Sequence, residues 1–277
     1  MALEKVRDIL KAAQQANTAV IAFDALDCNT ISACIRGAER ARRPVIVMLY
    51  PNMRSMMPFA AFAQAVKSMA RSASVPVGLH LDHCSDSSVI LEAIRDGFTS
   101  VMADGSAMPL EENIATTKFA AELCSYAGVP VEGELGHVGA TKDEVLGNYT
   151  DVAEAERFVK ETGVSALAVM VGTAHGRYKK APVLDIQRIR DIREATGKLP
   201  LVLHGGSGVP DEQIRMAVEA GIRKVNFATD LCYAFLDQVM VTERTTVALD
   251  VFMREPIHAV RDYCIGKIKL LGADKIL

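Results

Sequence analysis

Eight short apolar runs, each followed by a segment with helical periodicity, constrain this chain more than any other feature of its sequence. The runs are Val20–Phe23, Val45–Leu49, Val77–Leu81, Ser100–Ala103, Pro130–Glu134, Leu167–Val171, Leu201–His204 and Lys224–Phe227. They are short and largely β-branched, as strands are. Several intervening helices end at a glycine, in Asp96-Gly97, Ala127-Gly128, Thr162-Gly163 and Ala220-Gly221, because glycine accepts the left-handed backbone that closes a helix. Pro44, Pro76 and Pro200 stand where strands open. Strict β–α alternation requires parallel strands with helical crossovers. Eight such units in about 250 residues predict a closed (β/α)8 TIM barrel. A chain of 277 residues then forms one barrel domain over 1–277, with an extra N-terminal helix at Val6–Asn17 and an extra C-terminal helix at Ile257–Leu271. An open doubly wound sheet is the competing architecture, but the G-x-G-x-x-G turn expected after its first strand is missing.

Composition removes several classes of function. Lys and Arg total 31 against 34 Asp and Glu, a net charge of −3, so no basic surface is offered to nucleic acid or anionic lipid. No apolar run approaches the roughly 20 residues that span a bilayer, and Met1–Arg7 has no signal-peptide pattern. The six cysteines lack any CxxC spacing, which suits free thiols in a reducing cytoplasm.

Active sites of such barrels sit at the C-terminal ends of the strands, and here those ends are polar. The third strand ends in His80-Leu81-Asp82-His83 and the fourth in Ala103-Asp104-Gly105-Ser106. The fifth carries Glu132-Gly133-Glu134-Leu135-Gly136-His137, and the sixth runs into Gly172-Thr173-Ala174-His175-Gly176. The seventh gives His204-Gly205-Gly206-Ser207-Gly208, and the eighth gives Asn226-Phe227-Ala228-Thr229-Asp230. Five of the six histidines fall at or just beyond strand ends, and only His258 lies in the terminal helical region. His83, His175 and His204, from three strands, suit a catalytic divalent metal. Zinc favours neutral imidazole, and three protein ligands leave a position open for substrate. The turn Gly205–Gly208 before Pro210 can cradle a phosphate on backbone N–H groups, beside Asn226, Thr229 and Asp230. Any one of these histidines could equally be a hydrogen-bonded core residue, and the glycine turn an ordinary tight turn; it is their shared position at one barrel mouth that favours a site.

These segments, His80–His83, Asp104–Ser106, Val131–Gly139, Gly172–Lys179, Leu203–Gly208 and Lys224–Asp230, occur in one order along nearly the whole barrel. In this the chain resembles the class II, zinc-dependent ketose-bisphosphate aldolases, which include fructose- and tagatose-bisphosphate enzymes. The resemblance implies one catalytic Zn2+ on His83, His175 and His204, with Glu134 near an alternate metal position and Asp104 as a metal-side carboxylate. It makes Asp82 the acid/base for the C4 hydroxyl. Gly176, Gly205 and Ser207 become the phosphate grip, and Asn226 and Thr229 hold dihydroxyacetone phosphate. A monovalent cation, Na+ or K+, assists at such sites. The implied reaction is reversible retro-aldol cleavage of a phosphorylated ketose to dihydroxyacetone phosphate and an aldehyde through a zinc-stabilised enediolate. A homodimer or homotetramer is implied too, and the amphipathic segment Arg254–Leu277 suits assembly.

Departures from the family pattern bear on the substrate. The mobile-loop glutamate that exchanges the proton on the dihydroxyacetone carbon falls near Lys142, so Asp143 or Glu144 becomes its candidate replacement. Ala228 stands where fructose-type members carry aspartate and tagatose-type members carry alanine. Tyr50 occupies the place of a small residue, and Asp24 that of an asparagine. Lys179, Arg215, Arg254 and Arg261 are all candidates for a distal anionic group. These features predict a catabolic aldolase with the dihydroxyacetone-phosphate half retained and the aldehyde half altered. A Schiff-base lysine is not expected, since Lys224 stands only at the start of the eighth strand. Two alternatives remain open. One is a non-catalytic sugar-phosphate-binding or partner-supporting paralogue. The other is a zinc-dependent barrel hydrolase, which would want a His-x-His pair that Phe23-Asp24-Ala25 does not supply.

Overall fold

The structure, a computed structural model, describes residues 2–139, 149–243 and 248–272. Its strands are β1 Leu3–Glu4, β2 Val20–Asp24, β3 Val45–Leu49, β4 Val77–Cys84, β5 Ser100–Ala103, β6 Val131–Leu135, β7 Ala166–Val169, β8 Leu201–Leu203 and β9 Ile222–Phe227. The helices are α1 Val6–Gln15, α2 Cys28–Ala41, α3 Phe59–Ala70, α4 Ser87–Asp96, α5 Leu110–Ser125, α6 Val152–Thr162, α7 Ile186–Ala195, α8 Asp211–Ala220, α9 Thr229–Val241, α10 Leu249–Phe252 and α11 Arg254–Leu270. Strands β2 to β9 pair in parallel with their sequence neighbours, and β9 returns to β2 through Val20–Lys224 and Phe23–Phe227. The sheet is therefore closed, and the expected (β/α)8 barrel is present. No helix among the described residues is long and apolar enough to cross a membrane.

Most strand bounds move by a residue or two from those expected, and three differences carry chemistry. β4 runs on to Cys84, so His80 lies inside the strand rather than at its end; its ring is buried and Nδ1 lies 2.9 Å from Ser100 Oγ. β9 begins at Ile222, so Lys224 is a fully buried strand residue and not the first of its strand. Its neighbour Arg223 disguises the strand in the sequence by its charge. That guanidinium is spent on Val218 O at 2.8 Å and Asn17 Oδ1 at 2.7 Å. The third difference is β1, a two-residue strand that pairs with Val77 and Gly78 below the barrel.

Parallel strands buried on both faces divide the apolar core in two. Ile21, Phe23, Val47, Leu79, Val101, Leu203, Val225 and Phe227 face outward into the layer beneath the helices. Val20, Ala22, Ile46, Met48, Ala166, Ala168 and Val202 form a separate cluster with Val6, Ile9, Leu10 and Ala13 of α1. Helix α1 thus plugs the end of the barrel away from the strand C-termini. A Cβ on Gly78 would lie 2.9 Å from Val6 Cγ2, so this glycine lets the plug approach. Each fully buried Ile or Leu in it contributes about 1.5–3 kcal/mol. Among the described residues, α1 fills this end of the barrel and the strand C-termini face the other.

Helix α11 buries Pro256, Val260, Cys264 and Ile268. It crosses α2 at Gly37, where a Cβ would meet Cys264 Cβ at 3.0 Å. The apolar face of this terminal helix is consequently occupied within the chain, and residues 273–277 lie outside the described residues. Cys34 and Cys264 meet there as free thiols, with their sulfurs 3.8 Å apart.

Candidate active site

A cavity of about 440 Å3 opens at the C-terminal ends of the strands. Gly176, Gly205, Ser207, Asn226, Ala228 and Thr229 all border it, as do Asp82, His83 and His175. Behind this surface His83, His175 and His204 bring one ring nitrogen each within 4.8 Å of the others. His83 stands at the centre, with ring centroids 4.9 Å from His175 and 4.6 Å from His204.

The backbone of β4 aims His83 at this point. Its register against β5 shifts between Leu81 and Cys84, and His83 takes φ = 41°. A side-chain-bearing residue in that left-handed region is strained, and such bulges re-aim side chains beside active sites. The strain exposes the ring to three carboxylates. Nδ1 lies 2.8 Å from Asp104 Oδ2 and 3.9 Å from Glu134 Oε2, and Nε2 lies 3.8 Å from Asp82 Oδ2. Burial disfavours the His83 cation, but Asp82, Asp104 and Glu134 outweigh it and raise the pKa to about 10. His175, with burial and the His83 charge both acting against it, falls to about 4. His204 is likewise driven well below its ordinary value, first by burial and then by His83. Protons at this site thus collect on one histidine and leave two neutral imidazoles, the form that binds a metal.

Glu134 and Asp104 form a second possible metal group with His83. Glu134 is completely buried, and its Oε1 accepts from Val138 N at 3.1 Å. Its Oε2 has no hydrogen-bond partner among the described residues, and burial raises its pKa to about 8. A buried carboxylate oxygen left bare 3.4 Å from His204 Nδ1 fits a cation at that position. Burial also presses upward on Asp104. It is overcome by the His83 hydrogen bond and charge and by Ser106, which hold this carboxyl well below its usual range. Ser106 Oγ, 2.7 Å from Asp104 Oδ1, is also 2.9 Å from His137 Nδ1.

On the opposite wall Asn226 Nδ2 donates to Asp82 Oδ1 at 3.2 Å, joining β9 to β4 across the barrel. Asp24, at the end of β2, is also buried at the cavity, with Oδ1 unpartnered among the described residues. Its pKa rises well above the carboxylate range through burial first and the Asp82 charge second.

The glycine turns are braced by a residue with no signal of its own in the sequence. Tyr178 OH accepts from Ala174 N at 2.7 Å and lies 2.8 Å from Ala174 O and 3.0 Å from Gly205 O. Gly205 has φ = 64°, and a Cβ there would lie 2.5 Å from Ala174 O, so glycine is required sterically. Ser207 Oγ accepts from Asp230 N at 3.1 Å and ties the turn to the N-terminus of α9, which opens on the cavity with Ala228 and Thr229.

Not every anticipated residue joins the cluster. Lys179, Arg215, Arg254 and Arg261 do not border the cavity; Arg215 pairs with Glu212 and Arg261 with Asp262. Asp143 and Glu144 lie outside the described residues. Cys84 reaches the cavity, but burial raises its thiol to about 11, and it stays protonated. Two residues inside the barrel carried no assigned role, Glu132 and Lys224. Their alternation with Glu134 and Asn226 along the same strands was the signal available.

A barrel mouth with three convergent histidines, buried carboxylates and a glycine turn against a helix N-terminus has the side chains to hold a metal ion and the backbone to hold an anion. The chain matches the class-II fructose-bisphosphate aldolase family over residues 4–275 and belongs to it; it is a carbon–carbon lyase. It is 38% identical to YdjI of Escherichia coli K12 over 260 residues, 92% of each chain. The crystal structure of that protein, described as an aldolase, superposes with a TM-score of 0.90 over 98% of both chains. A Coccidioides immitis protein solved as a candidate fructose-1,6-bisphosphate aldolase gives 0.90 at 29% identity, covering 98% of this chain and 96% of that one. The Campylobacter jejuni fructose-bisphosphate aldolase, 21% identical, shares the fold with a TM-score of 0.83 over 100% of this chain and 97% of its own.

Proposed function

We propose that this protein is a zinc-dependent aldolase that reversibly cleaves a phosphorylated ketose to dihydroxyacetone phosphate and an aldehyde. The observation that carries the reading is the approach of His83, His175 and His204 within 4.8 Å of one another, beside the buried carboxylate of Asp82 at the cavity. His83, His175 and His204 would hold the metal, with Glu134 and Asp104 supporting an alternate position. Bound zinc supplies Lewis-acid stabilisation of the negative charge that develops on the three-carbon fragment. Asp82 takes the C4 hydroxyl proton in cleavage and returns it in condensation, with Asn226 orienting it. Gly176, Gly205, Ser207 and Thr229 grip the phosphate through backbone N–H groups and hydroxyls at the α9 N-terminus. Asn226 and Ala228 border the dihydroxyacetone moiety, and Na+ or K+ assists the phosphate. Asp143 or Glu144 exchanges the proton on the dihydroxyacetone carbon. Lys179, which does not border the cavity, would serve only a distal anionic group of the substrate.

The aldehyde half departs from the bisphosphate pattern. Asp24 brings a buried carboxyl where the family carries asparagine, and Tyr50 lines the same wall. Free cysteines and the family support a cytoplasmic enzyme, and self-association into a dimer or tetramer is part of the proposal. Zinc-loaded protein is to be assayed against ketose 1-phosphates and ketose 1,6-bisphosphates, with dihydroxyacetone phosphate read by a coupled reductase. Release that a chelator abolishes is expected. No release from any of these ketoses would refute the aldolase assignment for this chain.

A further inference from the structure

Beneath the histidine cluster the barrel interior holds a buried ion pair. Lys224 Nζ lies 2.8 Å from Glu132 Oε2, and both side chains are at most 2% exposed. Glu132 Oε1 lies 2.9 Å from His204 Nε2, and His80 Nε2 is 3.8 Å from Oε2. Around this level the interior is filled by Ala22, Met48, Ala168 and Val202. Four neighbouring strands thus fill the same space with apolar side chains. Burying two charges costs several kcal/mol per ion before their attraction returns it, and apolar residues of like volume commonly replace such pairs without loss of stability. The pair therefore calls for another explanation than cohesion.

Its geometry supplies one. A carboxylate only accepts hydrogen bonds, so His204 must donate from Nε2, and its lone pair is left on Nδ1. That Nδ1 is the nitrogen that lies 2.9 Å from His83 Nε2 and 3.4 Å from Glu134 Oε2, at the convergence point of the cluster. Glu132 can impose this only while its own carboxylate stays in one orientation. Lys224, reaching across from β9, grips the oxygen that His204 does not use. We infer that Lys224 is a positioning residue: acting through Glu132, it fixes the tautomer and ring orientation with which His204 presents Nδ1 to a metal. Outer carboxylates that hold ligand histidines in this way typically change metal affinity by 10- to 100-fold when removed. The inference rests on the metal reading above, and it also retires Lys224 as a nucleophile, because the amine is absent from the cavity wall and committed to Glu132.

The test is zinc affinity, measured by competition with a chromophoric chelator on the full chain, for Glu132→Gln, Lys224→Met and the double variant. Glu132→Gln preserves shape and replaces an acceptor-only group by one that can donate, so affinity should fall on the order of 10- to 100-fold. Lys224→Met should lose zinc affinity in the same range and, because it strands the buried Glu132 carboxylate, should also lower thermal unfolding of the metal-free protein. The double variant, with no charge left unpaired, should regain that stability but not the zinc affinity, a separation that a merely structural lysine would not give. The double variant should bind zinc as Glu132→Gln alone does, because Lys224 has no route to the metal except through Glu132. Wild-type affinity in Glu132→Gln, or losses that multiply in the double variant, would overturn the inference even if Lys224→Met failed to fold. Wild-type protein that takes up no zinc would overturn the metal reading itself, whereas normal wild-type binding with unaltered variants would sink only the role of Lys224.

Discussion

Replacing Asp82 by asparagine separates the two proton transfers that the proposed reaction requires. The substitution is nearly isosteric and keeps an oxygen to accept from Asn226 Nδ2, now at 3.2 Å, so the fold and the β4–β9 contact should survive. What is lost is the catalytic role proposed for this carboxylate, removal of the C4 hydroxyl proton. General acid–base catalysis is typically worth 10²- to 10⁴-fold. Asp82 is 3% exposed, so bulk water is poorly placed to stand in for it. The loss should therefore fall in the upper half of that range, a kcat reduction of about 10³- to 10⁴-fold, or ~4–5.5 kcal/mol of barrier. KM for the ketose should move by only a few-fold, because the proposed phosphate contacts lie in the loops after β7 and β8 and at the N-terminus of α9. The decisive assay is isotope exchange into dihydroxyacetone phosphate alone. That exchange needs the metal and a different base, assigned to Asp143 or Glu144, so it should persist within a few-fold while cleavage collapses. Cleavage within tenfold of wild type, or exchange lost in step with cleavage, would refute the division of labour.

Further consequences follow from the same geometry. Because Asp82, Asp104 and Glu134 keep His83 protonated up to about 10 without metal, zinc must displace that proton. Titration calorimetry at pH 8 in buffers of different ionisation enthalpy should show at least one proton released per zinc, and affinity should rise with pH between 7 and 9. Gly205→Ala places a Cβ 2.5 Å from Ala174 O on a φ of 64°; the left-handed backbone alone costs about 1–2 kcal/mol. Thermal unfolding should fall, and KM for the phosphorylated ketose should rise. Asp24→Asn removes the carboxyl from the aldehyde side and should change the ranking of aldehyde acceptors at least tenfold while leaving KM for dihydroxyacetone phosphate within a few-fold; an unchanged ranking in a condensation screen would remove Asp24 from specificity. Leu236, Met240, Val241 and Leu249 are exposed apolar side chains on α9 and α10. Met240→Glu is accordingly expected to lower the mass measured by light scattering if this face carries the proposed self-association.

The barrel itself was legible because alternation is a local property. Val45–Leu49 and Ser100–Ala103 have the bounds expected of them, and the glycines after Asp96 and Thr162 do take left-handed backbone at helix ends. Strand ends were also enough to locate Asp82, His83, His175, Gly205, Ser207 and Asn226 at one mouth, since a closed barrel leaves the C-terminal ends of its strands no other place to meet. Where charge interrupts an apolar run the reading failed. Arg223 hid the start of β9, and His80 looked like a strand end, because a sequence does not show which charges find partners inside a barrel.

The sequence by itself thus determined eight βα units, the face on which chemistry collects, and the set of histidines and glycines able to serve it. Only the tertiary structure decided how those residues act on one another. The register shift that turns His83 into the left-handed region, the bare oxygen of Glu134 beside His204, the brace of Tyr178 and the line from Lys224 through Glu132 to His204 all join strands far apart in the chain. Local pattern is set by backbone geometry and solvent preference along a few residues. Protonation and orientation inside a barrel depend on partners 20 to more than 120 residues away, for which only closure of the sheet sets the distance.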